Sequence, residues 1–133
     1  MGYKLDNILL VDDDAITNFV NMDILTEMGI ARHVHIAGDG SEALAFIQEH
    51  WIKEEKGKKE NNLIFLDINM PYMGAFQFLE RFERLKTHDV ISVVLLTTSD
   101  SQRDVERAKQ FNVSSYIVKP LSINKVYSVL QMC

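Results

Sequence analysis

The chain has 133 residues, 47% of them hydrophobic and 25% charged, with a single cysteine, which bounds it to one compact domain rather than a multidomain enzyme. Nineteen acidic against fourteen basic residues leave a net charge of -5, with no basic stripe for phosphate contacts, so a direct nucleic-acid partner is not expected. The lone Cys133 cannot close an internal disulfide, no apolar run approaches the ~20 residues that span a bilayer, and the first residues lack a signal-peptide core. The expectation is therefore a cytoplasmic protein without a membrane association. Gly2 does not open a myristoylation motif, because Asp6 stands where Ser or Thr is required.

Short apolar runs alternate with amphipathic stretches, the pattern of βαβ units. The runs are Ile8 to Val11, Val34 to Ala37, Leu63 to Leu66, Val93 to Leu96 and Tyr116 to Val118. Three are nearly uninterrupted, as strands covered on both faces should be, and five parallel strands are predicted. After the first run, Ile16, Phe19, Val20, Ile24 and Met28 recur at helical spacing and predict a buried stripe. Ala43, Leu44, Ile47 and Trp51 do the same in the second unit, and Phe78, Leu79, Phe82 and Leu85 in the third. A thin stripe around Val105 and Ala108 marks a fourth helix, and Ile123, Val126, Tyr127 and Leu130 a short fifth. Gly29 and Gly38 fall at expected chain reversals, and the charged stretch from Lys53 to Asn62 reads as a surface loop.

Ligands of parallel α/β sheets bind at the carboxyl ends of the strands. There the chain places Asp12, Asp13 and Asp14, then Asp67 and Asn69, then Thr97, Thr98 and Ser99, then Lys119 and Pro120. Crowded carboxylates repel unless a cation sits among them. Magnesium suits two or three Asp, because it keeps waters and completes its shell with phosphate oxygens. A hydroxyl and a lysine beside such a metal are equipment for a phosphoryl group. Asp67, emerging from the third strand before Ile68-Asn69-Met70-Pro71, is the candidate acceptor, since a carboxylate can take phosphate as an acyl phosphate.

Together, Ile8-Leu-Leu-Val-Asp-Asp-Asp14, Leu63-Ile-Phe-Leu-Asp-Ile-Asn-Met-Pro71, Val94-Leu-Leu-Thr-Thr-Ser99 and Tyr116-Ile-Val-Lys-Pro120 resemble the receiver domains of response regulators in bacterial two-component signalling, of the single-domain, chemotaxis-regulator-like type. The resemblance spans essentially the whole chain, 1–133, as one domain. It implies a doubly wound five-stranded parallel sheet with five helices and flavodoxin-like strand order 2-1-3-4-5. It further implies that Asp67 is phosphorylated by a histidine kinase or phosphotransfer protein, and that Mg2+ is bound directly by Asp13 and Asp67, through water by Asp12, and by the backbone carbonyl of Asn69. Thr97 would hydrogen-bond the phosphoryl group, Lys119 would pair with it, Tyr116 would be the switch aromatic, and Lys119-Pro120 would be cis. Read this way, the chain is a switch and not an enzyme, beyond promoting its own phosphorylation and dephosphorylation. The downstream protein is unknown, and its face is expected on the fourth helix, fifth strand and fifth helix near Arg103, Arg107, Lys109, Tyr116 and Lys125.

One departure stands out: Met73 is followed by Gly74 and Ala75, so the usual acid before the third helix is missing, which puts the geometry of that loop in question. Two rivals to the switch are a scaffold binding without phosphate and a small magnesium-dependent phosphatase of the haloacid dehalogenase type. The latter leaves Asp67 idle and has no second acidic pair after Lys119.

Other residues have plainer readings. Asp14 is expected to cap the first helix. His33 and His35 share a face of the second strand, and without a third ligand nearby they read as sheet-edge residues, with no zinc assigned. His50 and His88 lie near helix ends, and the scattered methionines fill the core. Tyr116, judged without the resemblance, reads as a half-buried packing residue.

Overall fold

The computed structural model describes residues 3–52, 59–70, 73–85, 90–98 and 102–131; Pro71, His88, Ser99, Cys133 and most of the charged loop lie outside them. The elements run β1 (Leu5–Val11), α1 (Ala15–Met28), β2 (Ala31–Ala37), α2 (Gly40–His50), β3 (Asn61–Asp67), α3 (Ala75–Phe82), β4 (Val90–Thr97), α4 (Gln102–Ala108), β5 (Ser115–Val118) and α5 (Ile123–Leu130). All strand pairs are parallel, in the order β2-β1-β3-β4-β5. Fold class, strand count and order agree with expectation. Four of the strands start about three residues earlier than their apolar runs, because backbone pairing continues through polar residues such as Asn7 and Asn62. The surface-loop reading is corrected accordingly at its end: Asn61 and Asn62 belong to β3.

The central strands β1, β3 and β4 supply alternate side chains to two cores. Leu9, Val11, Ile64, Leu66, Val93 and Leu95 meet α2, α3 and Ala108 of α4 on one face. Ile8, Leu10, Leu63, Phe65, Val94 and Leu96 meet Leu25 of α1 and Val126 and Val129 of α5 on the other. Each such buried side chain contributes about 1.5–3 kcal/mol. Both faces covered explains the uninterrupted apolar runs, and it leaves the strand ends as the place where polar groups gather.

The predicted buried stripe of α1 is overturned in its first half, while Ile24 and Met28 are half-buried and Met28 packs against the core. Ile16 is 75% exposed, Phe19 71% and Val20 48%, while Asn18, Asn21 and Leu25 face the core. Asn18 donates through Nδ2 to the carbonyl of Asp12 at 2.8 Å, which fixes the helix with its polar residues inward. A buried amide anchored through its Nδ2, with its Oδ1 left unpaired, thus overrides hydrophobic periodicity here.

Local chemistry closes the helices. Asp14 caps α1, accepting from the Ile16 amide at 3.0 Å and the Thr17 hydroxyl at 2.9 Å, and these bonds, the Thr17 one foremost, hold its carboxyl below the usual range. Gly29 ends the same helix in the left-handed region at φ 64, which only glycine adopts without strain. Asp39 and Ser122 cap α2 and α5. α3 starts at Gly74 with neither a capping side chain nor an acid in its first turn, as the missing acid foretold. Its loop is held instead by Gly40, whose amide donates to the Met73 carbonyl at 3.3 Å; a Cβ on Gly40 would meet that oxygen at 2.8 Å.

Candidate phosphoacceptor and metal site

Asp12 follows β1, Asp67 ends β3, Thr97 ends β4 and Lys119 follows β5. The strand register brings them to one sheet edge: Val11 pairs with Leu66, Asp67 with Leu96, and Thr97 with Val118. Asp12, Asp67 and Thr97 are buried, and Asp13 is exposed at the mouth.

One carboxylate oxygen from each of Asp12, Asp13 and Asp67 lies within 4.8 Å of the others. The Lys119 ammonium stands 2.6 Å from Asp67 Oδ1 and 3.9 Å from Asp12 Oδ2. Asp12 Oδ1 accepts from the Asp14 amide at 2.9 Å, and Asp67 Oδ1 from the Asn69 amide at 3.3 Å. Asp12 Oδ2 is buried without a hydrogen-bond partner. Burial raises the Asp12 carboxyl to about 6; the Asp14 amide opposes the shift, and the charge of Asp67 adds to it.

This set has the chemistry of a hard-cation site. One lysine faces three carboxylates, an all-oxygen donor set gathers within one ion's reach, and an orphaned buried oxygen needs a positive partner. The residues therefore fit a bound divalent cation.

Loop geometry positions the remaining groups. A cis bond joins Lys119 to Pro120, as expected, and the Lys119 amide donates to the Thr97 carbonyl at 2.7 Å, tying the lysine to the end of β4. Thr98 lies just beyond β4 and is half-buried. Tyr116 is half-buried on β5 against the core face that carries Ala108, Phe111 and Val113.

The basic face expected on α4, β5 and α5 is less open than its composition implies. Arg107 stacks 4.2 Å over the Phe76 ring, Lys109 pairs with Glu106 at 2.9 Å, and Lys125 donates to the carbonyls of Val118 and Pro120 at 2.7 and 2.9 Å. Sequence reasoning missed Asn18, which supports the Asp12 backbone, and Arg107 over Phe76. The only sequence signal for Asn18 is an amide just after a triple aspartate.

Comparison with known proteins agrees with this geometry. Residues 8–131 match the family model of the response regulator receiver domain. The chain is 32% identical over 133 residues to the probable methanogenesis regulatory protein FilR2 of Methanothrix harundinacea, covering 92% of this chain and 84% of that one. It is 29% identical to the response regulator Rcp1 of Synechocystis, covering 93% and 83%. The Vibrio cholerae chemotaxis protein CheY4 superposes with a TM-score of 0.77 at 26% identity, covering 96% of this chain and 97% of the other. With its sheet order, its acidic cluster and its strand-end lysine in place, the chain belongs to the response regulator receiver domain family, whose members serve as phosphorylation-dependent signalling switches.

Proposed function

We propose that Asp67 is the phosphoacceptor and that residues 1–133 act as one receiver unit switched by its modification. The observation that carries this reading is the 2.6 Å contact of Lys119 with Asp67 beside two further carboxylates. A carboxylate oxygen of Asp67 attacks the phosphorus of a phosphohistidine on a histidine kinase or phosphotransfer protein; the P–N bond breaks and the imidazole leaves. Mg2+, held by Asp13, Asp67 and the Asn69 carbonyl and reached by Asp12 through water, would neutralise charge on the phosphoryl oxygens. Lys119 exchanges its Asp67 partner for a phosphoryl oxygen, and the Thr97 hydroxyl donates to another. Water attack later restores the carboxylate, so the chain catalyses only its own modification and its reversal.

The phosphodonor's place is supported by the groove of about 250 Å³ lined by Ile16, Val20, Pro120 and Leu121, which runs up to Lys119. An apolar helix seated there brings its histidine to the Asp67 edge. The unknown downstream protein reads α4, β5 and α5. Drawn to the phosphoryl group, Thr97 frees space that the ring of Tyr116 fills, and α4 shifts readily because Ala108 alone of its residues is fully buried. Neither direct nucleic-acid binding nor membrane attachment enters this reading; no helix among the described residues is long and apolar enough to cross a membrane, and the proposed setting is the cytoplasm.

Amide exchange with and without beryllofluoride, a phosphoryl mimic, tests the switch. Protection changes should reach Tyr116 and α4. Changes confined to the Asp67 loop would favour the phosphate-independent scaffold instead.

A further inference from the structure

A second polar locus lies at the opposite, amino-terminal end of the sheet. Asn7 of β1 is paired in register with His33 of β2 on one side and Asn62 of β3 on the other, so a polar row crosses three strands beneath the α2 core face. The row is built. Asn7 is buried; its Nδ2 donates to Glu60 Oε1 at 3.3 Å and to Asn62 Oδ1 at 3.0 Å, and its Oδ1 lies 3.4 Å from His35 Nε2. Since Glu60 only accepts, the Asn7 amide orientation is fixed, and Oδ1 must receive the His35 Nε2 proton. That leaves the Nδ1 lone pair of His35 free, the arrangement in which an outer carbonyl sets the tautomer of a metal-binding imidazole.

His33, two residues earlier on the same strand face, has its ring centroid 6.0 Å from that of His35 and is exposed. Both line an open cleft of about 450 Å³ with Phe46, His50, Trp51 and Glu60. His50 is set apart from the pair by Phe46, whose ring lies 4.6 Å from both His35 and His50.

We infer that His33 and His35 form a two-imidazole chelate for a borderline divalent transition ion, copper(II) or zinc(II), with Asn7 as the positioning residue and water completing the shell. The exposed His33 ring turns toward the held His35 ring; the cleft provides the room. This replaces the plain sheet-edge reading of the two histidines, and it does not depend on the Asp67 site: at the rise of a strand, Asp12 lies about 16 Å along β1 from the level of His33 and about 10 Å from that of His35.

Copper(II) chloride, and separately zinc(II) chloride, would be titrated into the full chain with excess Mg2+ present to occupy the acidic cluster. Calorimetry should find one equivalent bound at the histidine pair, tighter for copper than for zinc. Copper resonance spectra should show nitrogen coupling from two imidazoles. His33→Asn, an exposed change that leaves the fold intact, and His35→Asn should each weaken binding about tenfold or more, while His50→Asn leaves it unchanged. Binding that survives His33→Asn, that is lost in His50→Asn instead, or that shows no nitrogen coupling overturns the assignment.

Discussion

Lys119 Nζ is 2.6 Å from Asp67 Oδ1 but 3.9 Å from Asp12 Oδ2, so in the resting protein the lysine is committed to Asp67 and leaves one buried oxygen of Asp12 without a hydrogen bond. This asymmetry sets what each member of the site should do when removed.

Lys119→Ala should lower metal-free stability by about 1–3 kcal/mol, because two buried carboxylates lose their cation; the half-open position of the lysine keeps the cost below that of a fully buried pair. Saturating Mg2+ should recover most of the loss in thermal melts. Phosphorylation should still occur, with the downstream response impaired more than the modification. A variant that signals normally would remove Lys119 from the readout.

Asp13→Asn relieves repulsion among three carboxylates, so without metal its melting temperature should exceed that of the wild type. Added Mg2+ should then raise the wild type more than the variant, since binding to the folded state stabilises in proportion to affinity. A wild-type melting temperature indifferent to millimolar Mg2+ would eliminate the site.

The Asp12 carboxyl, raised from 3.8 to about 6, gives a pH dependence of definite sign. The folded state holds this proton more tightly than the unfolded state, so its contribution is fully present below pH 3.8 and is lost as pH rises through about 6. Mg2+ competes with the proton, and its affinity should therefore climb across the same window. Denaturation of wild type and Asp12→Asn at several pH values isolates the effect: the variant should lack this component, and identical slopes would refute the burial argument.

Ile16→Ser and Phe19→Ser should each change stability by no more than about 0.5 kcal/mol, whereas Leu25→Ala on the inward face should cost about 2–5 kcal/mol. Ile16→Ser, which alters the groove leading to Lys119, should also slow phosphotransfer from a protein donor while leaving acetyl phosphate reactivity intact. Denaturant midpoints and transfer rates check both halves.

The α1 result shows where sequence reading stops. Apolar runs that face two cores announced β1, β3 and β4, and because the ends of parallel strands share one edge, the order of residues along the chain was enough to gather Asp12, Asp67, Thr97 and Lys119. Ile16, Phe19 and Val20 misled because periodicity detects an apolar face but not which way it turns, and the deciding contact, Asn18 to the Asp12 carbonyl, is a single polar bond. The engagement of Arg107, Lys109 and Lys125 was equally hidden, as charge counts carry no information about partners. The row linking Asn7, Asn62 and His35 depends on register across three strands, which composition cannot fix.

Intact mass after incubation with acetyl phosphate and Mg2+, run on wild type and Asp67→Asn side by side, tests the central claim most directly. The account predicts a gain of one phosphoryl group in the wild type, abolished by a metal chelator and absent from the variant, whose amide keeps the carboxylate's shape but cannot attack phosphorus. A wild type that gains nothing would favour the scaffold, steady release of phosphate would favour the phosphatase, and an undiminished gain in Asp67→Asn would contradict the assignment of the acceptor.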